Sequence, residues 1–168
     1  RSGGGCPAMG APQKPQCQKN TTLITRDIIK AAPSQLILAA RWDLYGDNIN
    51  QLKQVVQRLR EHNINRIILV GNLPVYKNPL PKELSKFYFK KGKYPERIKK
   101  IQPFSKTTDD KMAALAKDMN IPYYSTYQLL CHQDGCETMA DNNPEKVLAF
   151  DEAHLTEAGS LYLVKRLK

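Results

Sequence analysis

Two apolar runs separated by an amphipathic segment constrain the fold of this chain more than any other feature. Residues 34–40 form a short apolar run, which predicts a strand buried on both faces. The next segment has apolar residues at helical spacing and ends near His62; these residues are Leu52, Val55, Val56 and Leu59. Residues 66–71 form a second apolar run. A strand, a helix and a strand in succession predict a βαβ unit and a parallel sheet.

The second half of the chain continues this alternation. Residues 109–119 predict a helix, residues 121–125 a third strand, residues 147–150 a short β-like run, and residues 157–167 a closing helix. With 168 residues, 41% of them hydrophobic, the chain is long enough for one domain with a proper core. We therefore predict a three-layer α/β/α sandwich with a mainly parallel sheet over residues 1–168.

Polar residues follow the predicted strands. Arg41 and Trp42 come after the first run, and Asn72 comes after the second. In open parallel sheets, ligands bind beyond the carboxyl ends of the strands. The same end of the sheet receives the loop with Asp151 and His154, so we expect a site there.

Asp151 and His154 have the spacing of an orienting acid and a general base on one loop. A serine hydroxyl becomes a good nucleophile when an imidazole takes its proton, and a carboxylate holds that imidazole in one tautomer. Thr156 is placed to cap the closing helix, with Glu157 in its first turn. The alternative is that this common tetrapeptide leaves His154 as an ordinary residue at a helix start.

The formal net charge of +10 is concentrated in one region. Eleven basic residues lie between Lys77 and Lys111, against four acidic ones. Six aromatic residues are interleaved with them: Tyr76, Phe87, Tyr88, Phe89, Tyr94 and Phe104. We interpret residues 77–108 as a solvated basic insertion loop. The alternative is a surface for anionic glycan or lipid headgroups, and nucleic acid is not favoured because no nucleic-acid-binding motif accompanies the charge.

The four cysteines form two pairs that are close in sequence, Cys6 with Cys17 and Cys131 with Cys136. Two short disulfide loops in an exported protein explain this spacing economically. Free cytosolic thiols and a zinc site are the alternatives, although neither pair has the Cys-x-x-Cys spacing usual for zinc. We predict neither a metal nor a cofactor. No apolar run approaches the length of a membrane span.

Several of these segments together resemble a known family. They are Gly5-Cys6-Pro7 with Cys17, the run 37–42, the run 70–74, the Cys131/Cys136 pair, and Asp151-x-x-His154-Leu155-Thr156-x-x-Gly159. This set looks like the SGNH domain fused to membrane acyltransferases of the acyltransferase-3 family. The resemblance implies O-acetylation of bacterial surface polysaccharide in the periplasm, with an upstream membrane acyltransferase domain, an acyl donor and a carbohydrate acceptor as partners.

The chain departs from the family pattern in two blocks. The Gly-Asp-Ser block with the nucleophile and the Gly-x-Asn-Asp block with an oxyanion-hole Asn are both absent. Ser2 lies past the expected serine position, and Asn72 is a doubtful substitute for the missing Asn. A central strand would also be missing, so we expect Arg1 to begin partway into a longer domain, with the serine outside this chain.

The resemblance assigns a role to each candidate residue. His154 is the general base and then acid, and Asp151 orients it. Backbone N–H groups near Gly3, Gly4 and Gly5 stabilise the oxyanion. Arg41 and Trp42 bind the sugar or acyl group, or else they are a structural arginine and a core tryptophan. The alternative function is a catalytically degenerate module that binds anionic glycan or a membrane surface.

Overall fold

The computed structural model describes the backbone of residues 15–167 and the side chains of residues 22–46 and 48–167. The chain divides into two compact units. Unit 1 comprises Arg1–Asn72 and Asp110–Tyr124, and unit 2 comprises Leu73–Asp109 and Ser125–Lys168.

Unit 1 contains a parallel sheet. Its strands are β1 (Leu36–Ala39), β2 (Ile67–Val70) and β4 (Tyr123–Tyr124), in the order β1-β2-β4. Leu36 pairs with Ile67 and Leu69 pairs with Tyr123, both in parallel register. The predicted βαβ unit and the α/β fold class are confirmed.

The helices of unit 1 are α1 (Pro15–Ala31), α2 (Leu52–Glu61) and the second part of α4 (Phe104–Asp118), with a 3₁₀ stretch at Trp42–Gln51. Helix α2 ends as expected, because His62 is its C-cap. Helix α4 begins five residues earlier than predicted, and α1 was not predicted. The core includes Leu52, Val56, Leu59, Met112, Leu115 and Met119, so the periodic residues of α2 and α4 are its apolar faces.

The prediction that the first strand is buried on both faces is wrong. Leu38 is buried, but Ile37 on the opposite face is 60% exposed and Ala39 is also exposed. Side chains alternate between the two faces of a strand. An apolar sequence run does not distinguish a strand covered on both faces from one covered on a single face.

Unit 2 contains α3 (Leu80–Lys91), β3 (Arg97–Ile98), α5 (Thr126–Leu130), β5 (Cys131–His132), β6 (Gly135–Glu137), a 3₁₀ turn at Ala140–Asn142 and α6 (Glu157–Arg166). It also contains the start of α4. Its three short strands form an antiparallel sheet in the order β3-β6-β5. Strands of two or three residues are too short to show periodicity, so the sequence did not indicate this sheet.

The prediction that residues 77–108 form a solvated loop is wrong. The segment contains α3, β3 and the start of α4. Leu80 and Leu84 lie one turn apart on α3 and are buried, and Ile98 is buried with them in the core of unit 2. The many lysines between these residues obscured the apolar stripe, but three buried anchors are sufficient to hold the segment against the core.

The Cys131–Cys136 disulfide is present and joins the two strands of the β5–β6 hairpin. The second predicted pairing involves Cys6, which lies outside the described residues. Within residues 15–167, every helix is too short or too polar to cross a membrane. The same part of the chain contains no cluster of His, Cys, Asp and Glu able to hold a metal ion.

Candidate active site

A short loop between Leu148 and helix α6 carries the predicted Asp–His pair. Ala149 and Leu155 form an antiparallel bridge at the base of this loop. The Phe150 N–H donates to the His154 carbonyl (3.0 Å), and the Thr156 N–H donates to the Leu148 carbonyl (3.0 Å). The loop is thus closed by backbone hydrogen bonds, and its position does not depend on long side chains.

Thr156 joins this loop to α6. Its hydroxyl accepts from the Gly159 N–H (3.0 Å), which confirms the predicted N-cap, and donates to the Val147 carbonyl (2.6 Å). Only glycine fits at position 159, because a Cβ there would clash with the backbone of Leu148. The Gly that follows Thr156 by three residues therefore allows α6 to begin directly over the strand-like segment.

Asp151 holds the imidazole of His154. One carboxylate oxygen, Oδ2, lies 2.7 Å from His154 Nδ1. The other, Oδ1, accepts from the backbone N–H groups of Ala153 and His154, both at 2.8 Å. An ionised carboxylate accepts hydrogen bonds and cannot donate them, so Nδ1 carries the proton and Nε2 is the nitrogen available as a base.

The pair is accessible. The His154 side chain is 63% exposed and that of Asp151 is 30% exposed. The Phe150 ring stacks on the imidazole with centroids 5.7 Å apart. The stacking and the Asp151 bond together restrict the ring orientation while one edge stays open to a substrate.

The pKa of Asp151 is lowered from its ordinary value. Partial burial is the largest single influence and raises the pKa, but it is outweighed by hydrogen bonds from the backbone N–H groups of Ala153 and His154 and from the imidazole. The carboxylate is therefore ionised at neutral pH, as an orienting group must be.

Backbone hydrogen bonds anchor the loop to the first residue of α3 and to the segment that precedes this helix. The Leu80 N–H donates to the Asp151 carbonyl (3.1 Å), and the Tyr76 N–H donates to the Glu152 carbonyl (2.8 Å). Tyr76 is itself buried, and its hydroxyl donates to the Glu137 carbonyl (2.7 Å). These supports lie about 75 residues away in sequence, and the sequence pattern did not point to them.

Two other predicted site residues lie in unit 1 and have structural contacts there. Trp42 is 3% exposed and its indole N–H donates to the Val70 carbonyl (2.8 Å), as expected for a core tryptophan. The Arg41 guanidinium forms a two-point ion pair with Asp43, at 3.1 and 2.6 Å. Of the two alternatives for Trp42, these contacts favour the structural one. For Arg41, both substrate binding and a structural role stay predictions, because the guanidinium is paired with Asp43 while the side chain is partly exposed.

Asn72 lies two residues after the end of β2 and is 1% exposed. Its role near an oxyanion stays a prediction. Gly3, Gly4, Gly5 and Ser2 lie outside the described residues, so their predicted roles also stay predictions.

A parallel α/β sheet and an Asp–His pair on the loop before the C-terminal helix define the class of protein as SGNH-like. The family model for the SGNH domain fused to AT3 domains matches residues 1–168. The chain therefore belongs to that family, and the resemblance seen in its sequence is confirmed.

Among solved structures, the chain is similar to a Salmonella ser. Paratyphi A lipopolysaccharide acetyltransferase periplasmic domain. The TM-score is 0.77 and the sequence identity is 25%. The match covers 92% of this chain and 62% of the solved one, so this chain spans less than two thirds of that domain. No curated protein sequence matches this chain.

Proposed function

We propose that this chain is part of an extracytoplasmic SGNH domain of an O-acyltransferase or esterase that acts on bacterial surface polysaccharide. The observation that carries the proposal is the 2.7 Å contact between Asp151 Oδ2 and His154 Nδ1, with Oδ1 held by two backbone donors. Such an arrangement presents an exposed imidazole in the tautomer that a serine nucleophile needs.

The proposed chemistry is acyl transfer through an acyl-serine. His154 Nε2 takes the serine proton as the serine oxygen attacks the donor carbonyl, and returns a proton to the leaving group. In the second half, His154 takes a proton from a sugar hydroxyl, whose oxygen attacks the acyl-serine, and the serine regains the proton. With water in place of the sugar, the same steps give hydrolysis.

The serine is proposed to lie outside these 168 residues, since no Gly-Asp-Ser block occurs in them. Within residues 15–167, the hydrogen-bond partner of the His154 ring is Asp151, and no serine hydroxyl bonds to it. Backbone N–H groups near Gly3–Gly5 are proposed to stabilise the oxyanion, an effect of about 3–4 kcal/mol per donor in serine enzymes.

The proposed partners follow from the family. Fusion to AT3 domains supports an upstream membrane acyltransferase domain, which would hold this domain near the membrane and supply the acyl group. The name of the similar solved structure supports a periplasmic location and a carbohydrate acceptor such as lipopolysaccharide. Arg41 is the residue proposed to contact the acceptor or the acyl group.

The test is to replace His154 with Ala in the native-length protein and to measure O-acetyl groups on the surface polysaccharide of cells that lack the native copy. The proposal expects acetylation to fall by at least about 10³-fold, because the base is lost. His62→Ala is the matched control, since His62 lies at the end of α2 in unit 1, and it should acetylate normally. Unchanged acetylation in the His154 variant would instead favour a degenerate, binding-only module.

A further inference from the structure

The last two turns of helix α3 and the turn after it are exposed. Leu80, Glu83 and Leu84 in the first part of α3 are buried, but every residue from 85 to 94 is exposed. Phe89 is 89% exposed, and Phe87, Tyr88 and Tyr94 are exposed with it. We call residues 85–94 the basic-aromatic tip. Four large aromatic side chains exposed together on a water-soluble surface indicate a contact surface.

Local contacts hold the tip in shape. Gly92 ends α3 in the left-handed conformation with φ of 70°, and its N–H donates to the Tyr88 carbonyl (2.7 Å). The chain then turns so that the Tyr94 ring stacks on the Tyr88 ring, with centroids 4.7 Å apart. The tip therefore presents Phe89 from an ordered helix end and not from a flexible loop.

The charge of the tip and its flank has one sign. The five lysines of residues 82–94 are Lys82, Lys86, Lys90, Lys91 and Lys93. Glu83 is the acidic residue in that range, and it is buried and bound to Lys100 Nζ (2.5 Å), Lys86 Nζ (3.6 Å) and the Asn78 amide (2.7 Å). The outer face of this helix is thus cationic and aromatic, because its one carboxylate is buried and paired with lysines.

A groove beside α3 extends the cationic surface. It has a volume of about 460 Å³, and the residues that line it include Lys86, Phe87, Lys90, Lys91, Arg97, Lys99 and Lys100. The two carboxylates in its lining are Glu83, paired as above, and Asp134, paired with Arg97 at 3.0 Å. The groove suits an anionic phosphate headgroup, since its six cations outnumber the two carboxylates in its lining.

We propose that the basic-aromatic tip docks on the surface of an anionic phospholipid bilayer. Phe89 enters the boundary between headgroups and acyl chains, while Lys86, Lys90 and Lys91 bind lipid phosphates. Residues 85–94 contain no Asp or Glu that would repel lipid phosphates, and fusion to AT3 domains supports a location near a membrane, which favours a bilayer over a glycan or a nucleic acid. The docking rests on the proposed location near a membrane and does not depend on the chemistry of His154.

The test is co-sedimentation of the native-length extracytoplasmic domain with vesicles of phosphatidylcholine, with and without phosphatidylglycerol. Binding is expected to require phosphatidylglycerol and to weaken with salt. Each lysine near an anionic surface strengthens binding about five-fold, so Lys90→Glu with Lys91→Glu should weaken it by at least about 30-fold. Phe89→Ser should weaken binding several-fold and leave its salt dependence unchanged.

Matched controls come from unit 1. Leu44→Ser replaces another exposed apolar side chain, and Lys117→Glu reverses an exposed lysine on α4; both should bind like the original chain. Circular dichroism checks that each variant is folded. His154→Ala should also bind normally, so failure of the proposed chemistry and failure of docking are distinguishable.

Three outcomes would overturn the proposal. The first is equal binding to vesicles with and without phosphatidylglycerol. The second is an equal loss of binding in the unit 1 controls. The third is binding of an anionic polysaccharide or a single-stranded oligonucleotide, dependent on Phe89, by a chain that does not bind the vesicles.

Discussion

Gly159→Ala should destabilise the protein, although alanine is the better helix former. Gly159 lies in the first turn of α6, and a Cβ at this position would meet three backbone atoms of Leu148: the carbonyl oxygen most closely, the carbonyl carbon at 2.9 Å and Cα at 3.0 Å. Ordinary contacts of this kind are 3.4–4 Å, so relieving the contact with the carbonyl oxygen requires the helix to move by more than about 1 Å. Backbone atoms cannot turn aside as a flexible side chain does.

The magnitude follows from three effects. Overpacking costs about 1–3 kcal/mol. The same movement weakens the N-cap hydrogen bond between the Gly159 N–H and the Thr156 hydroxyl, which costs about 1 kcal/mol. Replacing glycine with alanine inside a helix stabilises the helix by about 1 kcal/mol. The net expectation is a loss of about 2 kcal/mol, or a decrease in Tm of about 6 °C for a chain of this size.

The assay is urea or thermal unfolding of the variant beside Ser160→Ala, an exposed change on the next residue of α6 that should alter stability by less than about 0.5 kcal/mol. Because α6 begins three residues after His154, the shift should also lower ester turnover of the native-length protein by about 10²-fold. If Gly159→Ala were neutral or stabilising, the close approach to Leu148 would not be real, and the explanation of this glycine would be wrong.

Three further predictions concern the same unit. Asp151→Asn should lower turnover by about 10⁴-fold with little loss of secondary structure, because the amide favours the wrong tautomer of His154; an unchanged rate would rule out the orienting role. Replacing Cys131 and Cys136 with Ser should cost about 2 kcal/mol in unfolding experiments, since the closed loop is short, and reduction of the original chain should match it. The folded pKa of Asp151 is lowered, so its stabilising contribution is full above about pH 4, the ordinary value, and is lost as pH falls through the folded pKa. Below pH ~4, the free energy of unfolding should therefore fall less steeply with decreasing pH in Asp151→Asn than in the original chain. An identical pH dependence in the two would contradict this.

The functional pair could be predicted from the sequence because its geometry is local. Asp151 and His154 are three residues apart, and the cap at Thr156 uses the next residues of the chain. The supports of the loop could not be predicted in this way. The donors Tyr76 and Leu80 are distant in sequence, and their position depends on how α3 packs in unit 2.

The basic segment shows why composition can mislead. Lysine-rich stretches are usually solvated, but α3 needs only Leu80 and Leu84 buried on one face to form a helix against its core. A pattern of two anchors among many lysines is too sparse to distinguish from a loop. The exposure of the tip, from which the docking proposal follows, was therefore visible only in the folded chain.

The sequence by itself determined what spacing along the chain can encode. The parallel βαβ unit, the end of α2 near His62 and the Asp151–His154 pair all depend on residues that are close in sequence. Tertiary structure decided which surfaces are covered. It placed Trp42 in a core, left Ile37 exposed on one face of β1, and set α6 against the backbone of Leu148 so that only glycine fits at position 159. Burial and close approach arise between segments that are far apart in sequence, and for that reason they cannot be derived from local periodicity.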